Sequence, residues 1–106
     1  MQQSTRSAAL AAVLTMAALP AYAQNAEVAA GHALARQVCV ACHVVDAQSS
    51  PRRAVGPAFH DIANTPGMTA TALHAFLTTS HQKMPNLILT PEEMSDVIAY
   101  ILSLRR

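Results

Sequence analysis

The chain has 106 residues, a formal net charge of +1 at pH 7, two cysteines and no tryptophan. Its few charges form no basic stripe that could follow a phosphate backbone, which excludes a nucleic-acid binder. A chain of this size buries little apolar surface, so a further apolar mass or a covalent staple is expected to complete its core.

Met1 to Ala23 reads as a cleaved signal peptide. Arg6 forms a short basic region, Ser7 to Leu19 is an Ala/Leu-rich apolar run, and Ala21-Tyr22-Ala23 is a small-x-small cleavage site. The apolar run is shorter than the roughly 20 residues that span a bilayer, and an uncleaved anchor is the alternative. The mature domain is then residues 24–106, without repeat or linker. Its six basic residues (Arg36, Arg52, Arg53, Lys83, Arg105, Arg106) balance six acidic ones (Glu27, Asp46, Asp61, Glu92, Glu93, Asp96).

The first predicted helix runs from Ala26 to Val38, with Val28, Gly31, Leu34, Ala35 and Val38 on one face. Gly31 is costly inside a helix and implies a close approach by a second helix. The helix leads into Cys39-Val40-Ala41-Cys42-His43. Two thiols three positions apart, followed at once by an imidazole, match covalent attachment of a c-type haem. Each thiol can add to one vinyl group, and the adjacent imidazole then reaches the iron. Two other uses of such a pair fit less well. A redox dithiol normally follows a β-strand, and no strand is predicted here. A zinc site needs two more ligands at suitable spacing, and there is no third cysteine.

Val44 to Pro57 is a predicted loop punctuated by Ser49-Ser50-Pro51 and Gly56-Pro57. Phe59 to Ala63 forms a short helical turn. Thr69 or Thr71 caps a helix reaching about Ser80, with Leu73, Phe76 and Leu77 facing inward. His81 to Leu89 is an extended loop. The last helix has the clearest start signal: Thr90 as N-cap, Pro91 at the first helical position, Glu93 closing a capping box, and a Leu89–Met94 staple. Met94, Val97, Ile98, Ile101 and Leu102 form its buried stripe, and Arg105-Arg106 suit the negative end of its dipole.

If His43 holds one face of the iron, a second ligand is wanted. Met94 belongs to a buried helical stripe, and Met68 can pack at a helix start. Met84 sits on a loop stiffened by Pro85 and is the preferred ligand. A His/Met pair raises the potential of haem and leaves no vacant coordination position. His81 is the competing ligand, although a solvent-facing or propionate-bonded role fits it better. His32, His60 and His74 read as surface or hydrogen-bonding residues.

With these residues assembled, Ala26 to Arg106 resembles the class I cytochromes c, particularly small bacterial monohaem members. The marks are the run from Gly31 to His43, Gly56-Pro57-Ala58-Phe59, Lys83-Met84-Pro85-Asn86, and the terminal Asp96-Val97-Ile98-Ala99-Tyr100 helix. The resemblance implies an all-α fold of three main helices and a short helical turn, wrapped with loops around one covalent haem c on Cys39 and Cys42. It implies His43 as proximal and Met84 as distal ligand, and a Pro57 carbonyl that accepts a hydrogen bond from the proximal imidazole; a plain turn role for Pro57 is the rival. It also implies that Gly31 crosses the last helix at Tyr100. The chain departs from the family at Ala35, where an aromatic residue is common, and in its lack of a propionate-bonding Trp. Arg52 and Arg53 are expected to be exposed rather than to replace that Trp. Lys83, the sole lysine, provides no lysine-rich docking face.

The expected function is one-electron transfer in the periplasm, without enzymatic turnover. The expected partners are transient redox proteins, with peripheral contact to membrane redox complexes, and the expected state is a monomer. A haem subunit of a larger oxidoreductase is the alternative, followed by an open-site haem enzyme or gas sensor.

Overall fold

The computed structural model describes residues 19–53 and 55–106. They form helix α1 (Leu19–Gln37), one turn of 3-10 helix (Cys39–Ala41), and helices α2 (Phe59–Ala63), α3 (Ala70–Leu77) and α4 (Pro91–Ser103). No strand occurs among the described residues; a single antiparallel bridge pairs His81 with Met84. The all-α class is as expected, with three main helices and one short one.

Helix α1 begins seven residues before the expected Ala26. The added segment, Leu19 to Asn25, includes Ala21 and Ala23, and Pro20 stands in its first turn, where proline is tolerated. Residues 21–27 are exposed, so local propensity rather than packing holds them helical. Most of the expected signal segment, residues 1–18, lies outside the described residues. Among the described residues, no helix is long and apolar enough to cross a membrane.

Buried packing starts where α1 meets α4. A Cβ at Gly31 would collide with the main-chain carbonyl of Asp96 and lie 2.9 Å from the Tyr100 Cβ. Backbone therefore meets backbone at this crossing. One turn on, Ala35 is fully buried, so a small side chain suffices where the family often has an aromatic one. The ring lying on Tyr100 comes instead from His32, with centroids 4.7 Å apart.

The same crossing anchors the loop after the cysteines. The Tyr100 hydroxyl donates to the Val45 carbonyl at 2.6 Å. Asp46 Oδ2 accepts from His32 Nε2 at 2.6 Å and from Arg36 Nη1 at 2.7 Å, while Oδ1 accepts from Ser49 Oγ and the Gln48 amide. The Asp46 side chain is only 11% exposed. The His32 bond first, and the Arg36 bond second, hold its carboxyl well below the usual carboxylate range.

Helix α3 is capped by Thr69, whose hydroxyl accepts from the Ala72 amide. It stops at Leu77, short of Ser80, and the Thr78 and Thr79 hydroxyls turn back to the carbonyls of His74 and Ala75. Such back-bonding offers the last carbonyls an alternative to further helix. In α4 both halves of the Thr90–Glu93 capping box are formed. Met94, Val97, Ile98, Tyr100 and Ile101 are buried against the other helices, and Leu102 is half-buried. Arg105 does more than complement the dipole: its guanidinium donates to the carbonyls of Met68 and Ala63, latching the chain end onto the α2–α3 connection.

Gly31→Ala forces the two backbones apart, and a loss of about 3 kcal/mol is expected, the upper range of overpacking costs; urea unfolding of the holoprotein measures it. Asp46 predicts the acid limb. Because its folded pKa is depressed, its contribution is fully present above the unfolded carboxyl value of about 4 and fades as pH falls below that. The stability gap between wild type and Asp46→Asn should therefore be largest near neutrality and shrink in urea melts taken at progressively lower pH.

Candidate functional site

Between α1, α3, α4 and the two long loops lies a cavity of about 740 Å³. Such a volume suits a cofactor. Core side chains, among them Phe59, Leu73, Val97 and Ile101, form part of its wall, so the cavity opens directly onto the hydrophobic core.

The 3-10 turn places Cys39, Cys42 and His43 on this cavity. The amides of Cys42 and His43 both donate to the Cys39 carbonyl, at 3.1 and 2.9 Å, which curls the five residues into one tight unit. The following loop folds back over it: the Arg53 amide donates to the Ala41 carbonyl, and the Gly56 amide to that of Cys42. Pro57 is thereby brought against the imidazole, and His43 Nδ1 lies 2.7 Å from the Pro57 carbonyl oxygen. A carbonyl can only accept, so Nδ1 carries the proton and Nε2 keeps its lone pair. Phe59 packs on the same ring at a centroid distance of 5.4 Å.

Both cysteines are free and half-buried. Burial pushes the Cys39 thiol up to about 11, so it stays protonated at neutral pH. A redox dithiol needs the opposite shift, which counts against that reading. Among the described residues, no group of three or more His, Cys, Asp or Glu side chains is placed to hold a metal ion.

Of the sulfur candidates, Met94 is 7% exposed in the core and does not reach the cavity. Met68 and Met84 both line it. Met68, however, is packed against the core cluster, whereas Met84 is not part of that packing. His81 also lines the cavity, but its Nε2 is spent on the Phe76 carbonyl and the Thr79 hydroxyl. His32, His60 and His74 stand outside it, and Arg52 and Arg53 are exposed. Phe76, expected to face inward, is 48% exposed. Its side chain lines the cavity and stacks on the His81 ring.

Two features of the site carry no local sequence signal. Gly56 reads locally as turn punctuation, yet a Cβ there would collide with the His43 ring, lying 2.6 Å from Nδ1. The Tyr100–Val45 bond joins residues 55 positions apart, which no local pattern announces.

These residues fit a covalently attached haem: two thiols a turn apart, an imidazole with one nitrogen fixed and the other open, a glycine cradle beside the ring, and apolar walls. A family model described as "Cytochrome C oxidase, cbb3-type, subunit III" matches residues 26–101. The chain is also 37% identical over 93 residues to cytochrome c-552 of Bradyrhizobium diazoefficiens, covering 88% of this chain and 89% of that protein. No solved structure matches it. An all-α shell closing on a Cys-x-x-Cys-His turn defines a c-type cytochrome. The chain belongs to the cytochrome c family, as a small monohaem electron carrier with haem c bound covalently through Cys39 and Cys42.

Gly56→Ala should displace the imidazole from Pro57. The expected sign is loss of the downfield, hydrogen-bonded Nδ1–H resonance of His43 in the proton NMR spectrum of the reduced protein; an unchanged resonance would contradict the cradle role.

Proposed function

We propose that the protein is a periplasmic one-electron carrier with iron held between His43 Nε2 and the Met84 sulfur. The observation that carries this reading is the His43–Pro57 bond, which commits Nδ1 and leaves Nε2 as the only ring nitrogen able to ligate. Bound haem supplies the one-electron couple between ferric and ferrous iron. The chain's own residues hold and tune it. Cys39 and Cys42 tether the group, and the Pro57 carbonyl orients the imidazole and raises its basicity. Met84, free of core packing, offers a soft thioether that favours the reduced state. With His43 and Met84 both holding the iron, no position there would remain for substrate, which is why we assign electron transfer rather than enzymatic turnover.

Val38, Val55 and Phe76 line the cavity while being 39, 58 and 48% exposed, so its rim is apolar. With six acidic and six basic residues in the mature domain, docking rests on this rim more than on electrostatic steering. Partners are then transient redox proteins meeting a monomer over a small contact. Peripheral contact with membrane redox complexes belongs to the same reading. Export through cleavage after Ala23 leaves residues 24–106 as the mature domain, and haem is attached outside the cytoplasm.

A second reading, a haem subunit of a larger oxidoreductase, is favoured by the family description, which names an oxidase subunit. A relative of similar length named simply as a cytochrome favours the free carrier. Purification at native expression separates them: a monodisperse monomer supports the carrier, and a stable co-purifying partner supports the subunit.

For the ligand set, Met84→Ala is expected to abolish the Fe–S(Met) charge-transfer band of the ferric protein, to lower the reduction potential and to admit carbon monoxide to the ferrous form. Retention of the band would remove Met84 from the iron.

A further inference from the structure

We propose that His81 is a positioning residue for Met84, an inference that rests on Met84 being the sixth ligand. Met84 stands outside the core packing, on a segment with no helix of its own. An unbranched thioether with three rotatable bonds is adaptable and does not fix its own place. Something else must hold it at the cavity wall.

The holding element starts at the end of α3. The His81 imidazole folds back onto the Phe76 ring, with centroids 3.7 Å apart and planes 12° from parallel. Its Nε2–H donates to the Phe76 carbonyl at 2.9 Å, with the Thr79 hydroxyl at 3.1 Å. Phe76 belongs to the last turn of a capped helix, so His81 is fastened to a rigid support. His81 and Met84 then pair as an antiparallel bridge across exposed Gln82 and Lys83. Placement passes from α3 through the imidazole to the Met84 backbone, while Pro85 restricts the chain on the other side. The half-exposed Phe76 is explained as well, because its ring serves as the platform for His81.

The test titrates the ferric holoprotein with free imidazole, which competes with the Met84 sulfur, and follows the Fe–S(Met) charge-transfer band. His81→Ala should raise imidazole affinity about tenfold, the scale of one hydrogen bond plus one ring contact, with covalent haem content unchanged. His81→Gln, which keeps an N–H donor for the Phe76 carbonyl, should fall between alanine and wild type. Phe76→Leu, which removes the platform but keeps the carbonyl, should shift affinity in the same direction. Affinity within about twofold of wild type in both His81→Ala and Phe76→Leu overturns the positioning role. Met84→Ala separates the two levels. If it retains the band, the ligand assignment fails and the positioning role with it; if it loses the band while His81→Ala is silent, only the positioning role fails.

Discussion

The backbone contact at Gly31 is the constraint on which the rest of the molecule depends. Because no Cβ intervenes, α1 lies against the main chain of α4, and Tyr100 comes within reach of the Val45 carbonyl. That bond, with the His32–Asp46–Arg36 cluster beside it, fixes the chain just beyond His43. The cysteine turn is therefore held at both ends: upstream by continuity with α1, and downstream by the crossing of α1 with α4. A larger residue at Gly31 would shift the haem-binding residues without touching any of them.

The site itself is built largely from main-chain hydrogen bonds. Carbonyls of Cys39, Ala41, Cys42 and Val44 each accept an amide from the turn or the returning loop, and the Pro57 carbonyl takes the imidazole proton. Main-chain groups have few degrees of freedom once the loop is closed, so they orient the imidazole better than long polar side chains could. Gly56 completes the arrangement by letting the loop backbone lie against the ring. The wall carrying Met84 is built differently, from a short loop whose His81 stacks on Phe76 and donates to its carbonyl. One wall of the cavity is thus braced over many residues and the other at few points.

Much of this was legible in the sequence because its determinants are local. The Cys-x-x-Cys-His run, the Thr90–Glu93 box and the apolar stripe of α4 each lie within a few turns of chain; the box forms as read, and the stripe is buried except for half-buried Leu102. Gly31 was legible because glycine inside a helix calls for a reason. Legibility ended where local signals compete or distant residues meet. Helix α1 extends through exposed residues that packing does not reach, so no apolar period marks its start. Phe76 obeys the helical period, yet the face it occupies meets the cavity, and period alone cannot tell a protein interior from a cofactor surface. The Asp46 cluster gathers residues 10 and 14 positions apart through a loop whose path no pattern specifies.

The fold and the cofactor explain one another, although covalent attachment is not what chiefly stabilises the domain. Cross-links gain entropy from the length of chain they enclose, and thioethers at Cys39 and Cys42 enclose only Val40 and Ala41. The stabilising term must instead come from apolar burial, because Phe59, Leu73, Val97 and Ile101 belong at once to the core and to the cavity wall. A haem there extends the core that a chain of this size cannot complete alone. The thioethers act on a different quantity: they keep the group permanently beside its site, so that burial and ligation become intramolecular and no longer depend on free haem concentration. The apolar walls that the fold needs for stability are thus the same ones that would hold the haem.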